Sequence, residues 1–108
     1  MKTHIKSKHC NEQVVLKFGF YANKSIAIRG FSLQEGEPMF TATVALDEMP
    51  AEGCVFLKGW SENKGIPEAL VKAGVVRLTG RKVNVGLVTV LEAEVCDPRV
   101  RKETQSDE

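Results

Sequence analysis

The chain has 108 residues, 43% of them hydrophobic and 27% charged, with 15 Lys and Arg set against 14 Asp and Glu. That length suits one domain with one core, and the composition excludes disorder for the body of the chain. The net charge of +1 argues against a general polyanion binder, and no apolar run approaches the ~18 residues that a membrane span needs.

Residues 3–10 (Thr-His-Ile-Lys-Ser-Lys-His-Cys) alternate without a strong apolar face and read as an edge strand whose lysines discourage edge-to-edge pairing. Residues 13–21 place Val14, Leu16, Phe18 and Phe20 on one side, a period-two strand pattern rich in branched and aromatic side chains. Ala22-Asn23-Lys24-Ser25 is turn chemistry. A return strand over 26–33 buries Ile26, Ile28 and Phe31, with a bulge expected at Gly30. After the turn 34–38, a strand over 39–46 carries Phe40, Ala42, Val44 and Leu46, which completes an antiparallel meander.

A loop over 47–53 leads to the short apolar strand Cys54-Val55-Phe56-Leu57-Lys58 and then to the polar segment 59–65. The one helix predicted starts with Pro67 in its first turn, has Glu68 near its positive end and Lys72 near its negative end, and stops before Gly74. Ile66, Leu70 and either Ala69 or Ala73 face the sheet. Residues 75–78 predict a strand, Thr79-Gly80-Arg81-Lys82 a basic turn, and 83–96 one long or broken strand with a bend or bulge at Gly86. The expected fold class is therefore α+β, a mainly antiparallel sheet of six to seven strands with one short helix packed on it. Residues 1–97 form the domain and 98–108 a mobile polar tail that cannot bury enough surface to offset ordering.

Few residues point to chemistry. Cys10, Cys54 and Cys96 form no Cys-x-x-Cys pair and read as free thiols in strands. His4, His9 and Cys10 supply fewer than the roughly four convergent ligands of a closed zinc site. Cys54 and Cys96 sit in apolar patterns, away from the cations or helix start that would activate a thiol. The carboxylates fall in turns, and no glycine pattern cradles a phosphate. No catalytic set, metal or cofactor is expected. The basic opening segment, followed by no apolar stretch or cleavage site, does not read as an export signal, so the cytoplasm is the expected location.

Charge is segregated along the chain. Lys2, Lys6, Lys8, Lys17, Lys24 and Arg29 precede an acidic stretch from Glu35 to Glu62, and Lys64, Lys72, Arg77, Arg81 and Lys82 follow it. Such alternation suits orienting a protein partner. Trp60, opening a polar loop after an apolar strand, either closes the core or anchors a partner. The expected partner-binding set is Trp60, Glu62, Asn63, Lys64, Arg77, Arg81 and Lys82. The alternative is a single-stranded nucleic-acid surface made by Lys2, Lys6, Lys8, Lys17, Lys24 and Arg29, with Phe18, Phe20 and Tyr21 as candidate stacking rings. Edge strands at either end leave a homodimer open.

Residues 36–90 carry a recognisable series. Gly36-Glu37-Pro38 opens a strand ending Thr43-Val44-Ala45-Leu46. Pro50 to Leu57 and the Asn-containing loop Trp60 to Gly65 follow, then Val71-Lys72-Ala73-Gly74-Val75-Val76 and Thr79-Gly80-Arg81. This series resembles a family of small bacterial proteins known only as a domain of unknown function. The chain departs from the family pattern at Asn84-Val85-Gly86-Leu87, where members have a Ser-Gly-aromatic step. The resemblance implies an accessory protein of plasmids, conjugative elements or phages, without catalytic residues. Its implied role is binding a host or element-encoded protein complex, as an inhibitor of a defence system such as CRISPR or restriction.

Overall fold

The computed structural model describes residues 2–6 and 11–96, so Lys8, His9, Cys10 and the tail expected over 98–108 lie outside the described residues. The fold is α+β: seven strands in two antiparallel sheets with one short helix. The first sheet has the order β1 (Lys2–Lys6), β2 (Asn11–Phe20), β3 (Ile26–Ser32), β4 (Pro38–Thr41). This is the expected meander, because each short turn returns the chain beside the strand it has just left. The second sheet has the order β5 (Cys54–Leu57), β7 (Val88–Val95), β6 (Val76–Val85).

Alternation along β2 sends Val14 and Leu16 fully into the core, opposite Ser32 and Gly30 of β3, and Phe18 packs at its margin opposite Ile28. The bulge expected at Gly30 is present as a register shift between Gly30 and Phe31. Glycine is required there by the Phe40 ring, since a Cβ on residue 30 would be only 2.4 Å from the nearest ring atom. Phe31, expected in the core, instead points to the outer face with Val15, because the two are paired and paired residues share a face.

The strand expected over 39–46 leaves β3 early. The segment 42–44 serves both sheets: the Ala42 N–H donates to Ile28 O (2.9 Å), while the Val44 N–H donates to Phe56 O (3.0 Å) and the Lys58 N–H to Ala42 O (2.9 Å). Thr43, 1% exposed, fills the gap that this departure opens in β3. Its Oγ1 accepts from the Ile28 N–H at 3.1 Å. The Tyr21 hydroxyl donates to Thr43 O at 3.0 Å, which leaves the Thr43 hydroxyl to donate to Tyr21 Oη at 2.9 Å. The Ile28 N–H, the Thr43 carbonyl and both hydroxyls at the crossing are thereby given partners.

Helix α1 (Ile66–Lys72) begins at Gly65 with φ 89° and has Pro67 in its first turn. It ends in a Schellman motif: Gly74, at φ 76°, donates its N–H to Val71 O at 3.0 Å and Val75 donates to Leu70 O at 3.0 Å. Leu70 and Val75, both fully buried, make the apolar contact that accompanies such a cap. Ile66, Ala69 and Leu70 face inward as expected. One core then joins the helix to Ile5 of β1, Ile28 of β3, Val55 and Leu57 of β5, Val76 of β6 and Val95 of β7. Burying each such side chain fully stabilises by roughly 1.5–3 kcal/mol.

The C-terminal half differs from expectation in one respect. Residues 79–82 are not a turn: β6 runs on through a bulge between Leu78 and Lys82, and the chain reverses at Gly86-Leu87 instead. Gly86, at φ 59°, supplies the positive angle that the first position of a type II′ hairpin turn requires.

Thr43→Val, which keeps the shape and removes the hydroxyl, leaves the Ile28 N–H and one Tyr21 bond unmet. Urea unfolding is expected to show a loss of about 1–3 kcal/mol; an unchanged midpoint would show that the crossing does not depend on this hydroxyl.

Candidate functional site

The outer faces of the two sheets differ in how they handle charge. On the second sheet Arg77 and Arg81 are neutralised within the chain. Arg77 and Glu94 are paired across β6 and β7 and form an ion pair at 2.9 Å. Glu92 is 4% exposed and sits beside Phe56 of β5. It accepts from the Thr79 hydroxyl (2.8 Å), the Ala51 N–H (3.1 Å) and Arg81 Nη1 (3.0 Å). The Arg81 guanidinium also pairs with Glu48 and lies 5.6 Å from the centroid of the Phe56 ring. The Thr79-Gly80-Arg81 bulge thus wraps the strand around a buried carboxylate and ties the loop over 47–53 to the sheet. All four residues of β5 are buried, because Val55 and Leu57 face the core and Phe56 lies under this clasp.

On the first sheet the cations are gathered and left unpaired. The register puts Lys2 opposite Val15, Lys6 opposite Asn11 and Lys17 directly opposite Arg29, all on the outer face. No described acid occupies a paired position of that face, and no ion pair among the described residues involves these four cations. The Lys17 ammonium stands 4.8 Å from the centroid of the Phe31 ring. His4, on the same face, is held by Asn11 at 2.8 Å. Gly19 and Ala27 are paired, and their small side chains leave a depression of about 150 Å³ lined by Lys17, Arg29, Phe18, Phe20 and Phe31. Phe20, expected in the core, is 42% exposed because it closes the strand where core cover ends. Lys24 sits in the hairpin turn at φ 71°, beyond the end of this face.

The other predicted residues are dispersed. Asn63 is interior, 3% exposed, donating to Thr41 O at 2.7 Å and so pinning the 3-10 turn Ser61–Asn63 to β4. Glu62 is the middle residue of that turn. Lys64 follows it and lines a separate groove with Lys6 and Lys72. Trp60 is half-buried and borders a groove of about 330 Å³ with Pro67, Leu91 and Leu87, the last fully exposed at the hairpin tip. Lys82 is exposed on β6. Tyr21, a candidate stacking ring, is engaged at the Thr43 crossing. Leu87 was missed as a surface feature because it continues the apolar alternation of its strand. Its place in a two-residue turn, after a glycine, was the available signal.

Among the described residues no group of three or more His, Cys, Asp or Glu could hold a metal ion, and no helix is long and apolar enough to cross a membrane. Cys54 is buried and Cys96 exposed. No protein-family model, curated protein or solved structure matches the chain.

Burial raises the pKa of Glu92, but the Thr79 hydroxyl, the Ala51 N–H and Arg81 together outweigh it, so the carboxyl titrates below the ordinary glutamate range. A lowered folded pKa stabilises above the unfolded value of about 4.3 and loses that contribution as pH falls through the folded value. Glu92→Gln is therefore expected to lower stability at neutral pH by about 1–3 kcal/mol. Urea midpoints measured down the acid range should show the gap to wild type closing below about pH 4; a gap constant with pH would mean that ionisation of Glu92 contributes nothing.

Proposed function

We propose that the outer face of the first sheet binds single-stranded nucleic acid without chemistry. The observation that carries this reading is the cross-strand pairing of Lys17 with Arg29 beside a ring-lined depression. Like charges directly opposite one another destabilise a sheet. Lysines at an edge strand suffice to discourage aggregation, yet this pair sits within the β2–β3 hairpin, where an arriving phosphate would relieve the repulsion. Lys2 and Lys6 extend the cationic row along β1. Phe31, on the same face and under the Lys17 ammonium, offers a base an apolar seat beside those cations, the combination that single-strand sites use.

The test is a fluorescence-anisotropy titration with a labelled oligonucleotide of about twelve residues, a length within single-strand site sizes. Lys17→Glu with Arg29→Glu is expected to weaken binding at least about tenfold at low salt. An abasic strand of equal length should bind roughly tenfold more weakly than the intact one, the loss of one stacked base. Binding that ignores the double substitution would remove this face from consideration.

A second reading has its own observation, the fully exposed Leu87 beside Trp60. An aromatic residue next to a projecting leucine suits a protein partner. On this reading the chain is an accessory protein of a mobile element that docks on a host complex, in the inhibitor-like role implied by the family resemblance. Trp60→Ala and Leu87→Ser should then each abolish recovery of a discrete partner from nuclease-treated host lysate. Recovery that both variants retain would sink it.

A further inference from the structure

The cations of the first sheet do not stop at the β1 edge. Helix α1 packs on the β1 side of the core, and the space between them is a groove of about 360 Å³ lined by Lys6, Lys64, Gly65, Glu68, Ala69 and Lys72. Lys6 belongs to both surfaces: it lies on the outer face opposite Asn11 and it forms one wall of the groove. Lys64 and Lys72 form no ion pair among the described residues, and the groove holds three lysines against the single carboxylate of Glu68.

The register gives the layout of the row. Lys2 lies two residues along β2 from the Lys17–Arg29 pair, and Lys6 four residues further along β1. At about 3.3 Å per residue, Lys6 stands roughly 20 Å along the sheet from Lys17. A ligand held at the ring-lined depression and passing Lys2 and Lys6 therefore arrives at the groove.

We infer that the nucleic-acid path continues over the β1 edge through Lys6 into the α1 groove, where Lys64 and Lys72 take the phosphates at its far end. This rests on the sheet-face reading and adds its length and direction. A short strand of about five residues would be held by the sheet face alone, whereas one of about twelve would reach both surfaces; both lengths lie within the range of single-strand sites.

The experiment compares these two lengths of labelled oligothymidine across a salt series, using wild type, Lys64→Ala with Lys72→Ala, Lys17→Glu with Arg29→Glu, and Lys82→Ala as a cation on the other sheet. Circular dichroism confirms the fold of each. For the longer strand, the Lys64/Lys72 variant is expected to flatten the dependence of log affinity on log salt by about 1.4, at roughly 0.7 per lost phosphate contact. Affinity for the short strand should be unchanged, and Lys82→Ala should affect neither. An unchanged slope, an equal effect on both lengths, or an equal effect from Lys82→Ala overturns the extended path. If wild type binds and only the Lys17/Arg29 variant loses affinity, the path ends on the sheet and the sheet-face reading stands. If wild type binds neither strand, both fall together.

Discussion

The arrangement of this protein depends on three residues that belong to two sheets at once. Ala42 to Val44 are bonded to β3 on one side and to β5 on the other. A strand that changes neighbours in mid-course leaves ladder groups of its first partner without mates, and a buried amide in that position is costly. Thr43 solves this with one side chain, accepting from the amide that β4 abandons while exchanging bonds with Tyr21. Because the crossing holds, the two sheets share one core, the helix can pack against β1 and β6 together, and among the described residues no other element covers the outer face of the first sheet.

The two outer faces then take opposite courses from similar residues. Arg81 and Arg77 meet carboxylates on neighbouring strands and are used in holding the fold. Lys17 and Arg29 meet each other. Neither composition nor net charge distinguishes these cases, since both faces are built from a chain of near-zero total charge. What separates them is register, which decides which ion stands opposite which. The binding reading follows from that difference: a protein that meets Arg77 and Arg81 with carboxylates on one sheet and sets Lys17 against Arg29 on the next has a surface suited to an external anion.

Much of this architecture was legible in the sequence. The apolar alternation of Val14, Leu16 and Phe18 gave β2 its face, Gly30 its bulge, and Pro67 and Gly74 the ends of the helix, because each signal is local. The misreadings were of a different kind. Residues 39–46 alternate as one strand would, and alternation does not say when a strand exchanges one neighbour for another. Thr79-Gly80-Arg81-Lys82 has turn composition, but Glu92, far along the chain, holds it as a bulge. Phe31 is apolar enough for the core, yet its register opposite Val15 puts it on the outer face with Arg29. Of the predicted surfaces, four of the six cations proposed for nucleic acid share a face, whereas Asn63, Arg77 and Arg81 of the other set are occupied within the fold. The first group lies on three successive hairpin strands, so nearness along the chain already pointed to it; only pairing between distant segments could show the second.

The contrast between the faces has a consequence for how the molecule senses its medium. Dissolved ions shorten the reach of any charge interaction, whether attraction or repulsion, to about 10 Å at 0.1 M. On the second sheet screening loosens the contacts of Arg77 with Glu94, while on the first it quiets the quarrel between Lys17 and Arg29. The same rise in ionic strength therefore slackens one wall of the core and settles the other, so the tolerance of this fold to brine is set by a balance between its two sides and not by its nearly neutral total.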